Sequence, residues 1–127
     1  MTTPPPRTAL QLRSLVKPNG ELEISLHDVA TPDPAPDEVV VRIEATPINP
    51  SDIGLLFGAT DLGTAKLSGT PTSPVVTARI PQQLMKGMAA RLGQSLPVGN
   101  EGAGVVVATG SSSAAQALLG QTVAVLG

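Results

Sequence analysis

Two short segments carry polar side chains in an order that suits a binding or catalytic cleft. Asn49, Ser51 and Asp52 lie in "PINPSD", and Asn100 directly precedes Glu101 in "GNEGAG". Carboxamides and hydroxyls orient a ligand through hydrogen bonds, and a carboxylate can also accept or release a proton. Side chains of these types can serve a site, but neither segment taken singly specifies a function.

Each segment also has a purely structural explanation. An Asn before Pro-Ser-Asp is typical of a helix start, because Asn caps free backbone N–H groups and Pro fits the first turn. The glycines of "VGNEGAG" miss the G-x-G-x-x-G spacing of a dinucleotide loop, and the segment precedes a strand instead of following one. In this explanation the glycines form a bend that lets two backbone segments approach closely. Glu101 is then either a solvated turn charge or a carboxylate buried against a basic group.

The residues that metal centres and hydrolases need are scarce in this chain. It has one histidine, His27, and no cysteine, which leaves no thiolate for a zinc site. Alternation along "ELEISLHDV" directs His27 toward solvent, and no serine and carboxylate accompany it in a triad pattern. The sequence therefore predicts neither a metal site nor a histidine-based hydrolase.

Composition narrows the possible partners. The chain has 127 residues, 41% of them hydrophobic and 14% charged, with a net charge of -2 and a single aromatic residue. This predicts one globular domain whose core is aliphatic, and it argues against nucleic acid or an anionic membrane as the main partner. The sequence shows neither a signal-peptide pattern nor an apolar run long enough to span a bilayer, and we expect a cytoplasmic protein that binds a small molecule.

The hydrophobic pattern predicts a mostly β, barrel-like architecture with short helices. Residues 1–8 are predicted to be a proline-rich extended tail, followed by a hairpin that turns at "KPNG". Leu22, Ile24 and Leu26 are expected on one face of its second strand, opposite Glu21, Glu23, Ser25 and His27.

Further elements are predicted along the rest of the chain. A strand over "EVVVRIEATPI" leads to a short helix after Asn49, and residues 58–74 are predicted to be a surface loop. One amphipathic helix is expected over residues 81–93, with a weak point at Gly87. Strands are predicted at "EGAGVVVATG" and "TVAVL", with a loop or helical turn between them. We expect alternate strand residues to form the core: Val39, Val41, Ile43, Val105, Val107, Val123 and Val125.

Three segments in order, "PDPAPDEVVVRIEATPINPSDI", "LPVGNEGAGVVVATG" and "LLGQTVAVLG", resemble the N-terminal part of the medium-chain dehydrogenase/reductase superfamily. The resemblance covers the chain from about Ala9 onward and implies a GroES-like, partly open β-barrel on the substrate side of a cleft. The family's Rossmann cofactor domain would follow residue 127. The stretch at about 58–96 is longer than is usual in the family and is identified as an insertion.

The resemblance also explains the two asparagines. In the zinc alcohol dehydrogenases the positions that match Asn49 and Asn100 hold a cysteine and a histidine that bind the catalytic zinc. Neutral amides are poor zinc ligands, so the chain resembles the zinc-independent branch of quinone oxidoreductases and enoyl thioester reductases. A tyrosine that donates a proton in such enoyl reductases corresponds to Thr60 here, and a threonine hydroxyl is a weaker acid than a phenol.

The resemblance implies an NAD(P)H-dependent oxidoreductase that reduces quinones or α,β-unsaturated carbonyls without zinc. The full-length parent would bind NADP or NAD, act on a small-molecule substrate and form a homo-oligomer, whereas this portion alone would be inactive. The alternative is a non-catalytic GroES-like binding or structural module. The implied catalytic residues are Asn49, Ser51, Asp52 and Thr60, and the implied cofactor-binding residues are Asn49, Asn100 and Glu101.

Overall fold

The computed structural model describes residues 8–127, which divide into two units. The five-stranded unit comprises Leu10–Asp28 and Ile48–Val98, and the three-stranded unit comprises residues 8–9, Val29–Pro47 and Gly99–Gly127. Strands account for 51% of the structure and helices for 18%, which confirms the prediction of a mostly β fold. The strands form two antiparallel sheets that do not close on themselves. Residues 1–7 of the predicted tail lie outside the described residues.

The larger sheet is built around the predicted hairpin. Gly20 adopts φ 85 and donates its N–H to the carbonyl of Lys17 at 3.1 Å, which closes the turn at "KPNG". Pro18 suits the position after Lys17, and a glycine is favoured where φ is positive. In spatial order, the strands of this sheet are β4 (Asp61–Thr70), β5 (Ser73–Arg79), β2 (Glu21–Ala30), β1 (Thr8–Val16) and β6 (Ser95–Pro97).

The prediction of a surface loop over residues 58–74 is wrong, because this stretch contributes a hairpin. Strand β4 is the outermost strand of the sheet, and nine of its ten residues are exposed. An edge strand gains its order from backbone hydrogen bonds to one neighbour and can remain polar on both faces. Its composition therefore resembled that of a loop.

The helix predicted over residues 81–93 is also different in the structure. It is split into an α-helical turn, α2 (Gln82–Met85), and a 3-10 helix (Lys86–Arg91). The change occurs next to Gly87, the predicted weak point, since glycine is a poor helix former. Met85 and Met88 pack against the core, whereas Leu84 is 46% exposed.

The core of the five-stranded unit lies on one face of its sheet. Leu22 and Ile24 are buried, as predicted, and Val16 and Ile80 complete the buried cluster. Leu56 and Phe57 of helix α1 (Pro50–Phe57) pack against it. On the opposite face, as predicted, the imidazole of His27 lies 2.9 Å from the hydroxyl of Ser25.

A polar group is enclosed in this apolar core. Ser14 has no exposed surface, and its hydroxyl donates to the carbonyl of Leu55 at 3.3 Å and accepts from the Arg91 guanidinium at 2.9 Å. Burial lowers the pKa of Arg91. These bonds connect β1 and the 3-10 helix to α1. They also satisfy the Ser14 hydroxyl, which would destabilise the fold if it were buried without partners.

The three-stranded sheet has the order β3 (Val39–Ala45), β7 (Glu101–Thr109) and β8 (Thr122–Leu126), and the short helix α3 (Ser113–Gln116) precedes β8. Both β3 and β8 pair antiparallel with β7. This agrees with the predicted last strands and the helical turn between them.

The predicted core phase is wrong in β7 but right in β8, where Val123 and Val125 are half-buried between exposed residues. Val106 is the buried valine of β7, at 1% exposure, whereas Val105 and Val107 are half-buried and Ile43 is 47% exposed. The pairing of β3 with β7 shifts register at two places, and each irregularity changes which residues share a face. Strict alternation along the sequence cannot predict these shifts.

Val106→Ala is expected to lower the free energy of unfolding by about 1–3 kcal/mol, because it leaves a cavity at a fully buried position. Val105→Ala, at the adjacent half-buried position, is the matched control and should cost less than about half as much. Urea unfolding followed by far-ultraviolet circular dichroism measures both. Equal costs would contradict the observed burial phase.

Within residues 8–127, none of the helices has the length and apolar character required to cross a lipid bilayer.

Candidate functional site

The segment "INPSD" forms the start of helix α1. Asn49 is the N-cap residue with extended backbone angles, and Pro50 occupies the first helical position. The Asp52 carboxylate accepts the backbone N–H of Asn49 at 2.8 Å, and the Asn49 side chain accepts the backbone N–H of Asp52. This reciprocal capping box satisfies two backbone donors that a helix start leaves without intrahelical partners.

Burial and charge strengthen the structural role of Asp52. Its side chain is buried, and its negative charge lies in the first turn, where the helix dipole favours an anion. Ser51, the preceding residue in the same turn, is exposed. It is therefore more accessible to a ligand at this position than Asp52.

Thr60 lies beyond the opposite end of helix α1. Its hydroxyl donates to the carbonyl of Phe57 at 2.8 Å, and its backbone N–H donates to the same carbonyl. Eight helical residues span roughly 12 Å, so Thr60 is separated from Asn49 by about the length of the helix. The structure therefore does not bring Thr60 together with the residues of the helix start.

In the three-stranded unit, Asn100 and Glu101 lie where β7 begins. The carbonyl of Asn100 accepts the N–H of Gly127 at 2.7 Å, and Glu101 pairs with Leu126 of β8. Both Asn100 and Glu101 are exposed.

An apolar groove of about 550 Å³ lies at this end of the three-stranded sheet. Because β7 runs antiparallel to both neighbours, its first residues lie between the last residues of β3 and β8. Among the residues that line the groove, Glu101 is ionisable and its neighbours are mostly small or aliphatic. The volume of the groove lies in the range of small-molecule sites. Its lining consists of Ala45, Thr46, Pro47, Glu101, Gly102, Ala103, Ala124, Val125 and Leu126.

The glycines of "VGNEGAG" serve the backbone. A Cβ atom added to Gly104 would overlap the carbonyl oxygen of Arg42 on β3, and one added to Gly102 would lie 3.3 Å from Ile43. Gly99 has φ 86, a conformation that other residues rarely adopt. The structural explanation of these glycines therefore accounts for two of them fully, Gly99 by conformation and Gly104 by close packing.

The predicted site residues thus fall into two sets. Asn49 and Asp52 bond to each other with Ser51 beside them, and Asn100 and Glu101 are neighbours in the other unit. Thr60 belongs to neither set. Within the described part of the chain, no group of three or more His, Asp or Glu side chains is placed to hold a metal ion.

Sequence reasoning missed two groups of the five-stranded unit. The contact between Ser14 and Arg91 joins residues 77 positions apart, and no local signal predicts it. Arg79 borders two hollows of the sheet, and the available signal was a cation at the end of the apolar run "VVTAR".

Comparison with known proteins does not show the family of this chain. No family model matches the chain, and no curated protein matches it. The assignment of function therefore depends on the motifs and on the geometry of the two units.

Proposed function

We propose that the chain is the substrate-side, GroES-like domain of a zinc-independent NAD(P)H-dependent oxidoreductase that reduces quinones or α,β-unsaturated carbonyls. The observation that carries the proposal is the apolar groove at the start of β7, to which "GNEGAG" contributes Glu101, Gly102 and Ala103. A neutral, poorly hydrated acceptor suits such a lining. The order of the three motifs supports the same family.

The residues of the chain fit one end of the dinucleotide better than the other. A pyrophosphate needs a cluster of backbone donors, usually at a glycine-rich helix start, and Gly104 is instead packed against β3. Carboxamide and hydroxyl groups, as in Asn49 and Ser51, suit the nicotinamide end and the substrate oxygen. The bulk of the cofactor affinity would therefore come from a Rossmann domain after residue 127.

In this proposal the residues of the chain bind and orient. When bound, the reduced nicotinamide supplies the hydride. At the start of α1, the exposed residue Ser51 supplies a hydroxyl, and hydrogen bonds from such a group stabilise negative charge that develops in a transition state. Asp52 holds Asn49 in place through the capping box. Glu101 disfavours acceptors that carry a negative charge.

The second candidate, a non-catalytic module, is favoured by one specific observation. The capping box accounts for the side chains of Asn49 and Asp52 without any ligand. The sequence beyond residue 127 discriminates between the two functions, because βαβ units with a Gly-rich first turn would supply the cofactor domain.

We expect that the protein extended through its cofactor domain oxidises NADPH with 1,4-benzoquinone or an enone as acceptor. Asn49→Ala should lower kcat by about 10–100-fold while the Kd for NADPH changes by less than about threefold, because the carboxamide that orients the nicotinamide end is lost. Asn49→Ser is the control for folding, since serine also caps helices but lacks the carboxamide. It should lose turnover as Asn49→Ala does.

Three results would contradict the proposal. Full turnover of Asn49→Ser would reduce Asn49 to a helix cap. Absence of turnover with both acceptors would favour the module. Micromolar binding of NADPH by these 127 residues alone, measured by calorimetry, would mean that they contain the phosphate site that the proposal assigns to the Rossmann domain.

A further inference from the structure

A second groove, here called the Arg79 groove, lies at one end of the five-stranded sheet. Its volume is about 680 Å³, within the range of small-molecule sites. It is bordered by the turn between β1 and β2, by the start of β4 and by the link from β5 into α2. Its lining consists of Pro18, Asn19, Gly20, Asp61, Thr64, Arg79, Ile80, Pro81, Gln82 and Met85.

Backbone hydrogen bonds hold the walls of the Arg79 groove together. The N–H of Ile80 donates to the carbonyl of Gly20 at 2.8 Å, and the N–H of Arg79 donates to the hydroxyl of Thr64 at 2.8 Å. Ile80 is 4% exposed, and Met85 packs against the hydrophobic core. The groove thus combines a fixed frame with an aliphatic floor.

The rim carries one cation, Arg79, and one carboxylate, Asp61. Within residues 8–127, Arg79 forms no ion pair, although Asp61 lies opposite it in the ladder. The Asp61 carboxylate instead accepts the N–H of Gly63 at 2.9 Å. Arg79 also borders a smaller hollow of about 380 Å³ that contains Lys66, a second cation.

A second carboxylate belongs to Glu21, the β2 residue that pairs with Arg79 in the ladder. Glu21 lines the smaller hollow and lies 3.2 Å from the ammonium group of Lys17. Hydrogen bonds with Glu23 and then Glu21 raise the pKa of Lys17, so it keeps its charge throughout the neutral range. Glu21 shares this ammonium group with Glu23, whose carboxylate lies 2.6 Å from it.

We propose that the Arg79 groove binds an amphipathic monoanion with a carboxylate head and an aliphatic tail. The guanidinium fork of Arg79 matches a carboxylate in two parallel hydrogen bonds, and Lys66 adds attraction at longer range. The tail lies on Ile80, Pro81 and Met85. The negative charge of Asp61 disfavours a dianion such as a phosphate ester, which is why the head is assigned as a carboxylate. This site is independent of the oxidoreductase function proposed above.

Calorimetric titration of the 127-residue chain with three probes tests the proposal. Sodium octanoate should bind at one site, and 1-octanol, which has the same tail without the charge, should bind at least about tenfold more weakly. Octyl phosphate, at a pH where it is a dianion, should also bind more weakly than octanoate. Amide chemical shifts in nuclear magnetic resonance spectra should change at Asn19, Gly20, Arg79, Ile80 and Gln82.

Variants locate the head of the ligand. Arg79→Gln should weaken octanoate binding at least about tenfold without changing 1-octanol binding. Arg42→Gln is the matched control, because Arg42 is an exposed strand arginine of the other unit, and it should leave octanoate binding unchanged. If Arg79→Gln does not fold, the salt dependence of octanoate binding is measured on the unmodified chain instead. Added salt should lower the affinity for octanoate.

Each opposite result overturns the proposal. Equal affinity for octanoate and 1-octanol would show that the anionic head does not contribute to binding. Tighter binding of octyl phosphate would contradict the carboxylate assignment. Unchanged binding by Arg79→Gln, unchanged affinity in salt, or chemical-shift changes confined to residues outside the groove would exclude Arg79 as the anchor.

Discussion

Gly104→Ala is expected to destabilise the three-stranded unit by about 3 kcal/mol. Gly104 is a buried residue of β7 paired with Ile43, and an added Cβ would overlap the carbonyl oxygen of Arg42 and lie 2.9 Å from the Cα of Ile43. Both obstacles are backbone atoms, so a rotamer change cannot relieve the overlap. The two strands would have to separate and lose ladder hydrogen bonds.

Gly87→Ala is the matched control for this prediction. An added Cβ at Gly87 meets nothing within 4 Å, and the residue is exposed in the 3-10 helix. Alanine there should leave stability unchanged or raise it by about 0.4–1 kcal/mol, because it restricts the unfolded chain. Urea unfolding followed by circular dichroism compares the two variants. A cost for Gly104→Ala below about 1 kcal/mol would show that β3 and β7 are not packed as described.

Leu22→Ala is expected to lower the free energy of unfolding by about 2–5 kcal/mol. Leu22 is 1% exposed and belongs to the buried cluster with Val16, Ile24 and Ile80, so truncation removes burial energy and leaves a cavity. The affected contacts join β1 and β2 to the link after β5. The loss should therefore spread through the five-stranded unit.

Leu67→Ala controls for the chemistry of the substitution, since Leu67 is a strand leucine that is 76% exposed. It should change the free energy of unfolding by less than about 0.5 kcal/mol. Thermal unfolding of both variants by calorimetry gives the comparison. Similar midpoints for the two would place Leu22 outside the core.

Local chemistry along the sequence determined several elements directly. The turn at "KPNG" is specified by its Asn-Gly pair, whose glycine adopts a positive φ, and the start of α1 by an Asn, Pro and Asp at capping positions. Alternation placed Leu22 and Ile24 inside and His27 outside. These features depend on residues a few positions apart, which is why they can be predicted from sequence.

Other features depended on which strand found which partner. A polar edge strand such as β4 has the composition of a loop, and its pairing with β5 decides its structure. Val106 is the buried valine of β7, and the pairing of β3 with β7 shifts register beside it, between Val40 and Val41. Neither outcome follows from periodicity, because a one-residue shift in pairing exchanges the two faces of a strand.

The candidate site divides in the same way. The sequence by itself determined the helix cap at Asn49 and Asp52 and placed Glu101 at the start of a strand. Three features were decided only by the tertiary structure. Helix α1 separates Thr60 from that cap. Three strand ends form an apolar groove beside Glu101, and Arg79 borders a groove of its own. Caps arise from hydrogen bonds between residues three positions apart, whereas grooves arise where segments distant in sequence meet, and those meetings depend on the packing of the whole unit.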